Sequence, residues 1–363
     1  MIRRLAIIGT RGIPARYGGF ETFAEQISWR LVEQGVKVTV YCEKDGNAEQ
    51  LADYRGVKLE YVSSPSLGPF TTILFDLICL WKARKSFDMV YMLGYGASLF
   101  CFLPRLWGTE VWINMDGVEW ARSKWSSIAK LWFRIMEVLA MWTPNRVICD
   151  AEAIRVHLKS RHRRLPSCSV IPYGAPVIDS APPASLLDEW GLKPNGYYLA
   201  VCRLEPENHV REIIEGHRAA DSQLPLVIVG NHACGTGYIK SLLSSADKRT
   251  CFIGGIYKQE KLLALRWHCL AYFHGHSAGG TNPSLLEALG CGNAIIAHDN
   301  VFNREVARGA AMYFKNHRDI PQLLIELESD HDKRRQLGDK ARGVIRKHYT
   351  WDKITQCYMA LLR

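Results

Sequence analysis

Glu287 is the one carboxylate in the stretch HGHSAGGTNPSLLEALGCG, residues 274–292, where Gly279 and Gly280 lead through Thr281, Asn282 and Pro283 into an apolar helical run. A glycine-freed loop at the mouth of a helix can turn backbone N–H groups toward an anion, and the helix dipole favours negative charge there. Ser284 and Glu287 also have the S-x-x-E spacing of a capping box, which would occupy that carboxylate. Three further loops hold groups able to do chemistry. GTRGIPARYGGFE (9–21) gathers Gly9, Arg11, Gly12, Arg16, Gly18 and Gly19, and paired glycines ahead of a helix let the backbone approach a phosphate. DGVEW (116–120) puts Asp116 where a carboxylate either reaches a ligand or caps a turn. CRLEPENH (202–209) offers Arg203, whose planar fork either grips a phosphate bidentately or pairs with Glu205 or Glu207. Asn208 and His209 follow at the start of a helix.

Other chemistries are not indicated. The eleven cysteines stand singly with no C-x-x-C pair, which argues against a zinc site or a disulfide framework and for buried, reduced thiols. His274 and His276 have no third ligand at a metal-binding spacing. There is no P-loop, no G-x-S-x-G elbow and no dinucleotide fingerprint, so a Rossmann dehydrogenase is excluded.

The elements that must position these loops come in two strand–helix series. The first runs through strands at 3–10, 36–42, 57–62, 89–93, 110–115 and 146–150, with a helix over 20–35. A Pro-, Ala- and Ser-rich segment, VIDSAPPASL, reads as a linker. The second has strands at 197–202, 225–230, 251–255, 270–275 and 293–299, with helices from Glu207 to Ala220, over 236–245 and 284–290, and a final one over 351–363. Short apolar strands separated by helices predict parallel sheets, and ligands of such sheets bind beyond the carboxyl ends of the strands. All four loops follow strands.

The chain has 363 residues, 48% hydrophobic and 23% charged, an ordinary globular balance that suits two domains. Its net charge of +10 is spread along the sequence and favours an anionic partner. A nucleic-acid-binding protein would gather that charge into a patch; the only dense run is RVHLKSRHRR (155–164). No uncharged apolar run reaches a membrane span, and no signal peptide is indicated. Two basic, tryptophan-bearing stretches, 66–87 and 124–142, suit either a membrane surface or helices covering a sheet.

Taken together, GTRGIPARYGGFETF, NMDGVEW, RLEPEN and HGHSAGGTNPSLLEAL resemble the family 4 retaining glycosyltransferases of the GT-B fold, and within them a bacterial rhamnosyltransferase-like subgroup. The resemblance implies an α/β protein with two Rossmann-like domains facing across a cleft. An acceptor-binding domain over 1–175 is followed by a nucleotide-sugar-binding domain over 176–345, and a C-terminal helix over 346–363 crosses back to the first. It implies a sugar nucleotide such as dTDP-rhamnose as donor and a lipid-diphosphate-linked saccharide as acceptor, with no cofactor, metal or nucleic acid. The expected location is cytoplasmic, at the anionic inner face of the plasma membrane. Arg203 matches the arginine on the donor diphosphate, and Glu287 the glutamate that takes the ribose hydroxyls. Gly18, Gly19, Asn208, Gly279, Gly280, Thr281 and Asn282 complete the expected donor site; Arg16, Tyr17, Glu119 and Trp120 are the expected acceptor contacts. Asp116 stands where the family usually has a histidine, Asn208 where it often has a lysine, and Gly279 where it has a first glutamate. A UDP- or GDP-hexose donor and a GT-B sugar-nucleotide epimerase are the alternatives within this fold.

Overall fold

Runs such as MVYML, LVIV and IIAH bury almost every side chain, as strands covered on both faces must. The computed structural model describes all residues except 1–2, 16–17, 45–49, 65–66, 123–124 and 232–235. Strands β1 (Arg4–Ile8), β2 (Lys37–Glu43), β3 (Asp53–Tyr54), β4 (Val57–Val62), β5 (Met89–Leu93), β6 (Glu110–Met115), β7 (Arg146–Cys149) and β8 (Ser167–Val170) form an eight-stranded sheet. Its order is β3-β4-β2-β1-β5-β6-β7-β8, parallel except where β3 meets β4. A six-stranded sheet holds β9 (Tyr198–Val201), β10 (Leu226–Val229), β11 (Thr250–Gly254), β12 (Ala271–His274), β13 (Ile295–His298) and β14 (Ala311–Phe314). Its order, β11-β10-β9-β12-β13-β14, is the doubly wound pattern, with strand order reversing between β9 and β12. In the first sheet the reversal lies between β1 and β5, where Leu5 pairs with Met89 on one side and Val38 on the other.

Contacts divide the chain into two compact units. The first comprises Met1–Ala121, Trp125–Tyr173 and Trp351–Arg363; the second, residues 122–124 aside, is Gly174–Thr350. Helices α1 (Gly19–Glu33), α2 (Thr71–Ala83), α3 (Ser127–Ala140) and α4 (Glu152–Arg161) belong to the first. The second holds α5 (Val210–Ala219), α6 (Thr236–Ser245), α7 (Gln259–His268), α8 (Pro283–Cys291), α9 (Val301–Ala307), α10 (Ile320–Ser329) and α11 (His331–Val344). α12 (Trp351–Leu362) returns to the first unit.

α1 buries Phe23, Ala24, Ile27 and Leu31, spaced to lie on one helical face. Phe23 meets Tyr91, Tyr173, Trp351 and Tyr358 at ring-centroid distances of 5.0 to 6.3 Å. Full burial of each such ring is worth roughly 2 to 3 kcal/mol. The buried hydroxyls of Tyr91 and Tyr358 bond each other at 2.8 Å, and Asn114 Nδ2 donates to Tyr91 at 2.9 Å. α12 is therefore part of the first core.

Several sequence expectations shift. The helix after Arg203 starts at Val210 rather than Glu207, because Pro206–Asn208 form a 3-10 turn and His209 is left-handed with φ 47°. The last crossing lies at Trp351 rather than 346, since Ile345–Tyr349 continue α11 as a π turn. Ala175 N donates to Tyr349 O at 2.8 Å and Ile178 N to Gly290 O at 3.0 Å, so the Pro-rich segment is bonded into the second unit from Gly174. Not every described thiol is buried: Cys357 is exposed and Cys168, Cys202 and Cys251 are half-buried. Among the described residues, no helix is long and apolar enough to cross a membrane.

Candidate active site

In the second unit, the loops after β9 and β12 leave the sheet where its order reverses, and hydrogen bonds stitch them together. His209 Nδ1 donates to Gly275 O at 2.8 Å; Ser277 donates to Glu207 O from its N–H at 2.9 Å and its hydroxyl at 3.0 Å. The crossing is so close that a Cβ on Gly275 would lie 2.0 Å from Asn208 O. That is a steric demand for glycine.

Arg203 is half-exposed, with Nη1 3.5 Å from the buried Glu205 carboxylate. A fork so placed can turn to a phosphate at small cost. Asn208 serves the loop itself, since its buried Nδ2 donates to Arg203 O at 2.7 Å and braces the segment that carries the arginine. Gly279, with φ 127° and open space around a notional Cβ, has a backbone conformation L side chains rarely adopt. Gly280 and Thr281 are buried beside it.

The capping-box reading of Ser284 and Glu287 is corrected. Asn282 is the N-cap of α8, its side chain accepting from Ser284 N at 2.9 Å, and Pro283 fills the first helical position. Ser284 Oγ instead donates to Val201 O at 3.0 Å and lies 2.6 Å from Tyr272 Oη, fastening α8 to the end of β9 and to β12. Glu287 is thereby left to the buried Arg266 of α7, at 2.6 Å. Thr281, Asn282 and Glu287 thus come together at the start of α8, Glu287 one turn inside it.

Histidines line the same strand ends. His209 stacks on His298 at 3.9 Å, and His274 on His276 at 4.4 Å, so the latter pair lie face to face rather than converging as ligands would. Burial holds His274 down to about 3 and His298 to about 4, with neighbouring imidazoles adding repulsion; burial and nearby cations depress His276 as well. The rings of His274, His276 and His298 are therefore uncharged at neutral pH.

In the first unit, carboxylates from α1 fasten the loop after β1. Glu21 accepts from Arg11 N at 3.0 Å and Thr10 Oγ1 at 3.3 Å; Glu25 accepts from Ala15 N at 2.6 Å. Gly18 has φ 101° and caps α1 with no side-chain bond, and Gly19 begins the helix. Arg16 and Tyr17 lie outside the described residues.

Asp116 follows β6 directly, half-buried, and its charge, with that of Asp150 at the end of β7, adds to burial in raising the Tyr173 hydroxyl. Sequence reasoning passed over Asp150 and Tyr173, although each follows a strand as Asp116 does. The expected acceptor contacts are engaged within the unit. Glu119 accepts from Trp125 Nε1 at 3.1 Å and donates its backbone N–H to Tyr95 Oη at 2.8 Å. Trp120 Nε1 donates to Glu137 at 2.6 Å, with the Trp120 ring near Arg134 and Arg161. Burial raises Glu137, but bonds from His157, Trp120 and His162 outweigh it and bring its carboxyl to about 2. The DGVEW loop is thereby anchored to α3 and α4, with Asp116 at its head.

Residues 2–176 match the family model "Domain of unknown function (DUF1972)", and residues 189–344 the model "Glycosyl transferases group 1". Over 157 residues, 42% of this chain, the sequence is 24% identical to an uncharacterised glycosyltransferase of Methanocaldococcus jannaschii. That match spans 40% of the curated relative's length. Among solved structures, Anabaena HepE in complex with UDP and glucose is similar over 100% of this chain and 99% of its own, with TM-score 0.82 and 16% identity. The sucrose-phosphate synthase of Thermosynechococcus elongatus is similar over 99% and 98%, with TM-score 0.82 and 15% identity. The architecture is the GT-B fold.

Proposed function

We propose that this chain, with its Glycosyl transferases group 1 domain, is a retaining glycosyltransferase that moves a sugar from a nucleoside diphosphate to a lipid-diphosphate-linked saccharide. The best-supported donor is dTDP-L-rhamnose, on the motifs that resemble the rhamnosyltransferase-like subgroup. The acceptor belongs to cell-surface polysaccharide synthesis, and the enzyme works without a metal from the cytoplasmic face of the plasma membrane. The observation that carries the proposal is the stitched loop pair of the second unit, in which the loop that carries Arg203 is bonded to the loop that leads into α8 and Glu287, at the point of strand-order reversal. A UDP-hexose is the second reading, favoured by HepE, whose complex holds UDP and glucose.

The leaving group is a nucleoside diphosphate, so negative charge grows on its β-phosphate. Arg203 turns from Glu205 to that charge, together with N–H groups of Gly280 to Asn282; fixed donors of this kind stabilise a leaving anion without reorganising. Glu287 accepts from the ribose hydroxyls. The bond from the sugar's anomeric carbon to the phosphate oxygen breaks while the acceptor oxygen bonds the same face of that carbon. The acceptor proton passes to the departing phosphate, and Asp116 orients the hydroxyl that loses it.

The test offers dTDP-rhamnose, UDP-sugars and GDP-sugars to the purified chain, with and without a lipid-diphosphate acceptor. Acceptor-dependent release of dTDP is expected. Conversion of a donor with no acceptor present would indicate the epimerase instead.

A further inference from the structure

α3 buries little: Met136, Glu137 and Ala140 face inward. Its opposite face exposes Ile128 at 83%, Leu131 at 58%, then Ile135 and Val138, and ends past the helix at Trp142, 56% exposed. Steps of three and four residues put these side chains on one stripe. The stripe continues onto neighbouring segments. Arg105 Nη1 donates to Thr143 O at 2.7 Å, tying the turn Pro104–Trp107 to the end of α3; that turn exposes Leu106 at 67%, with Phe102 and Trp107 beside it. Trp107 meets the exposed Trp81 of α2 edge to face at 5.9 Å. Contiguous apolar surface beyond a few hundred Å² is rare on a soluble monomer.

Charge says what covers it. Within the described residues of 67–87, 97–109 and 126–145 the acids are Asp76 and Glu137, and both are buried. Arg84, Lys85, Arg105, Lys130 and Arg134 from the same segments reach the surface. Arg84 lies 3.8 Å over the Trp81 ring, Lys85 5.6 Å over Trp107, and Arg164 4.2 Å over Trp142, so cations rim the aromatic edge. A symmetric contact between two copies would set this face against itself, mostly cation against cation, because the acids at its border are already engaged, Glu60 by Lys82 at 3.5 Å and Glu110 by Arg3 at 3.4 Å and Trp112 Nε1 at 2.7 Å. An anionic bilayer answers both features: its acyl boundary takes the apolar stripe, its headgroup level the tryptophans, and its phosphates the rim.

We propose that the outer stripe of α3, the turn Pro104–Trp107 and the end of α2 form one docking face for an anionic lipid bilayer. Its purpose, presenting a lipid-linked acceptor to the loops after β5 and β6, rests on the transferase reading; the face itself does not. α3 is fastened to those loops by Trp132 Nε1 donating to Gly96 O at 3.0 Å and by the Trp120–Glu137 bond.

The experiment sediments the full chain with phosphatidylethanolamine–phosphatidylglycerol vesicles and, separately, with phosphatidylcholine vesicles. Wild type should bind the anionic vesicles, less so as salt rises. The double variant Leu131→Glu, Ile135→Glu should lose at least about tenfold in partition while its thermal midpoint and nucleotide binding stay unchanged. Absence of wild-type binding, or equal binding by the variant, overturns the proposal. So does a concentration-dependent dimer that the variant dissolves, which would make a second copy the occupant. Vesicle binding with no sugar transfer would sink the lipid-acceptor reading and leave the docking face standing.

Discussion

Arg266 Nη2 lies 2.6 Å from Glu287 Oε2, the arginine buried and the carboxylate half in solvent. The pair sets the carboxylate's position before any ligand arrives. Arg266→Met should therefore weaken nucleotide binding about tenfold, through a loss of positioning. Glu287→Ala leaves the buried guanidinium unpaired and should cost about 3 kcal/mol of unfolding free energy as well. Titration calorimetry with the nucleotide and urea unfolding separate the two effects; an Arg266→Met chain that binds normally would show that Glu287 needs no brace.

Arg203 rests 3.5 Å from Glu205 until a stronger anion comes. Arg203→Lys keeps the charge and loses the fork, so kcat/KM for transfer should fall about a hundredfold. Initial rates over a range of donor concentrations check this. A lysine variant near wild type would mean that a point charge suffices.

Asp116→Asn should lower kcat by about 10² to 10⁴ while leaving nucleotide affinity alone, because the proposed role of the carboxylate is to orient the acceptor hydroxyl and not to hold the nucleotide. Single-turnover transfer and nucleotide titration on the same sample distinguish the outcomes. Near-normal turnover would remove Asp116 from the mechanism.

Acid should destabilise the fold through its neutral imidazoles. His274 is held at about 3 and His298 at about 4, against an ordinary 6.5. Above about pH 6.5 neither the folded nor the unfolded chain protonates these rings, and their full stability is present. As pH falls from there toward about 4, the unfolded chain takes up protons that the folded one refuses, and stability drops by up to about 1.4 kcal/mol per pH unit for each ring. Urea midpoints across that range measure the slope. His274→Phe keeps a ring against Tyr272 and His276 and should flatten the slope; an unchanged slope would mean that other groups carry it.

Much of this was legible in the sequence. Strands such as β5 and β10 announced themselves because a parallel sheet covered on both faces needs unbroken apolar runs. The loops at strand ends showed in their glycines and arginines. What sequence reasoning missed were pairings across distance. Arg266 sits in an ordinary helical run, and nothing local joins it to a glutamate on the next helix. Asn208 has the position of a ligand contact but braces a carbonyl. Ser284 has capping-box spacing, yet Asn282 two residues earlier takes the cap, because Pro283 suits the first helical position. The α3 stripe reads like a core stripe, since amphipathic spacing reveals an apolar face and not what it meets.

The Tyr91–Tyr358 hydrogen bond and the rings around Phe23 bear on the order in which the protein takes shape during synthesis. The second unit is essentially contiguous from Gly174 to Thr350 and has all its strands once Thr350 has emerged from the ribosome. The first unit, although translated earlier, waits for Trp351 and Tyr358 to fill its core. Nascent chains halted before Trp351 should thus carry a protease-resistant second half and a digestible first half, the reverse of simple N-to-C maturation.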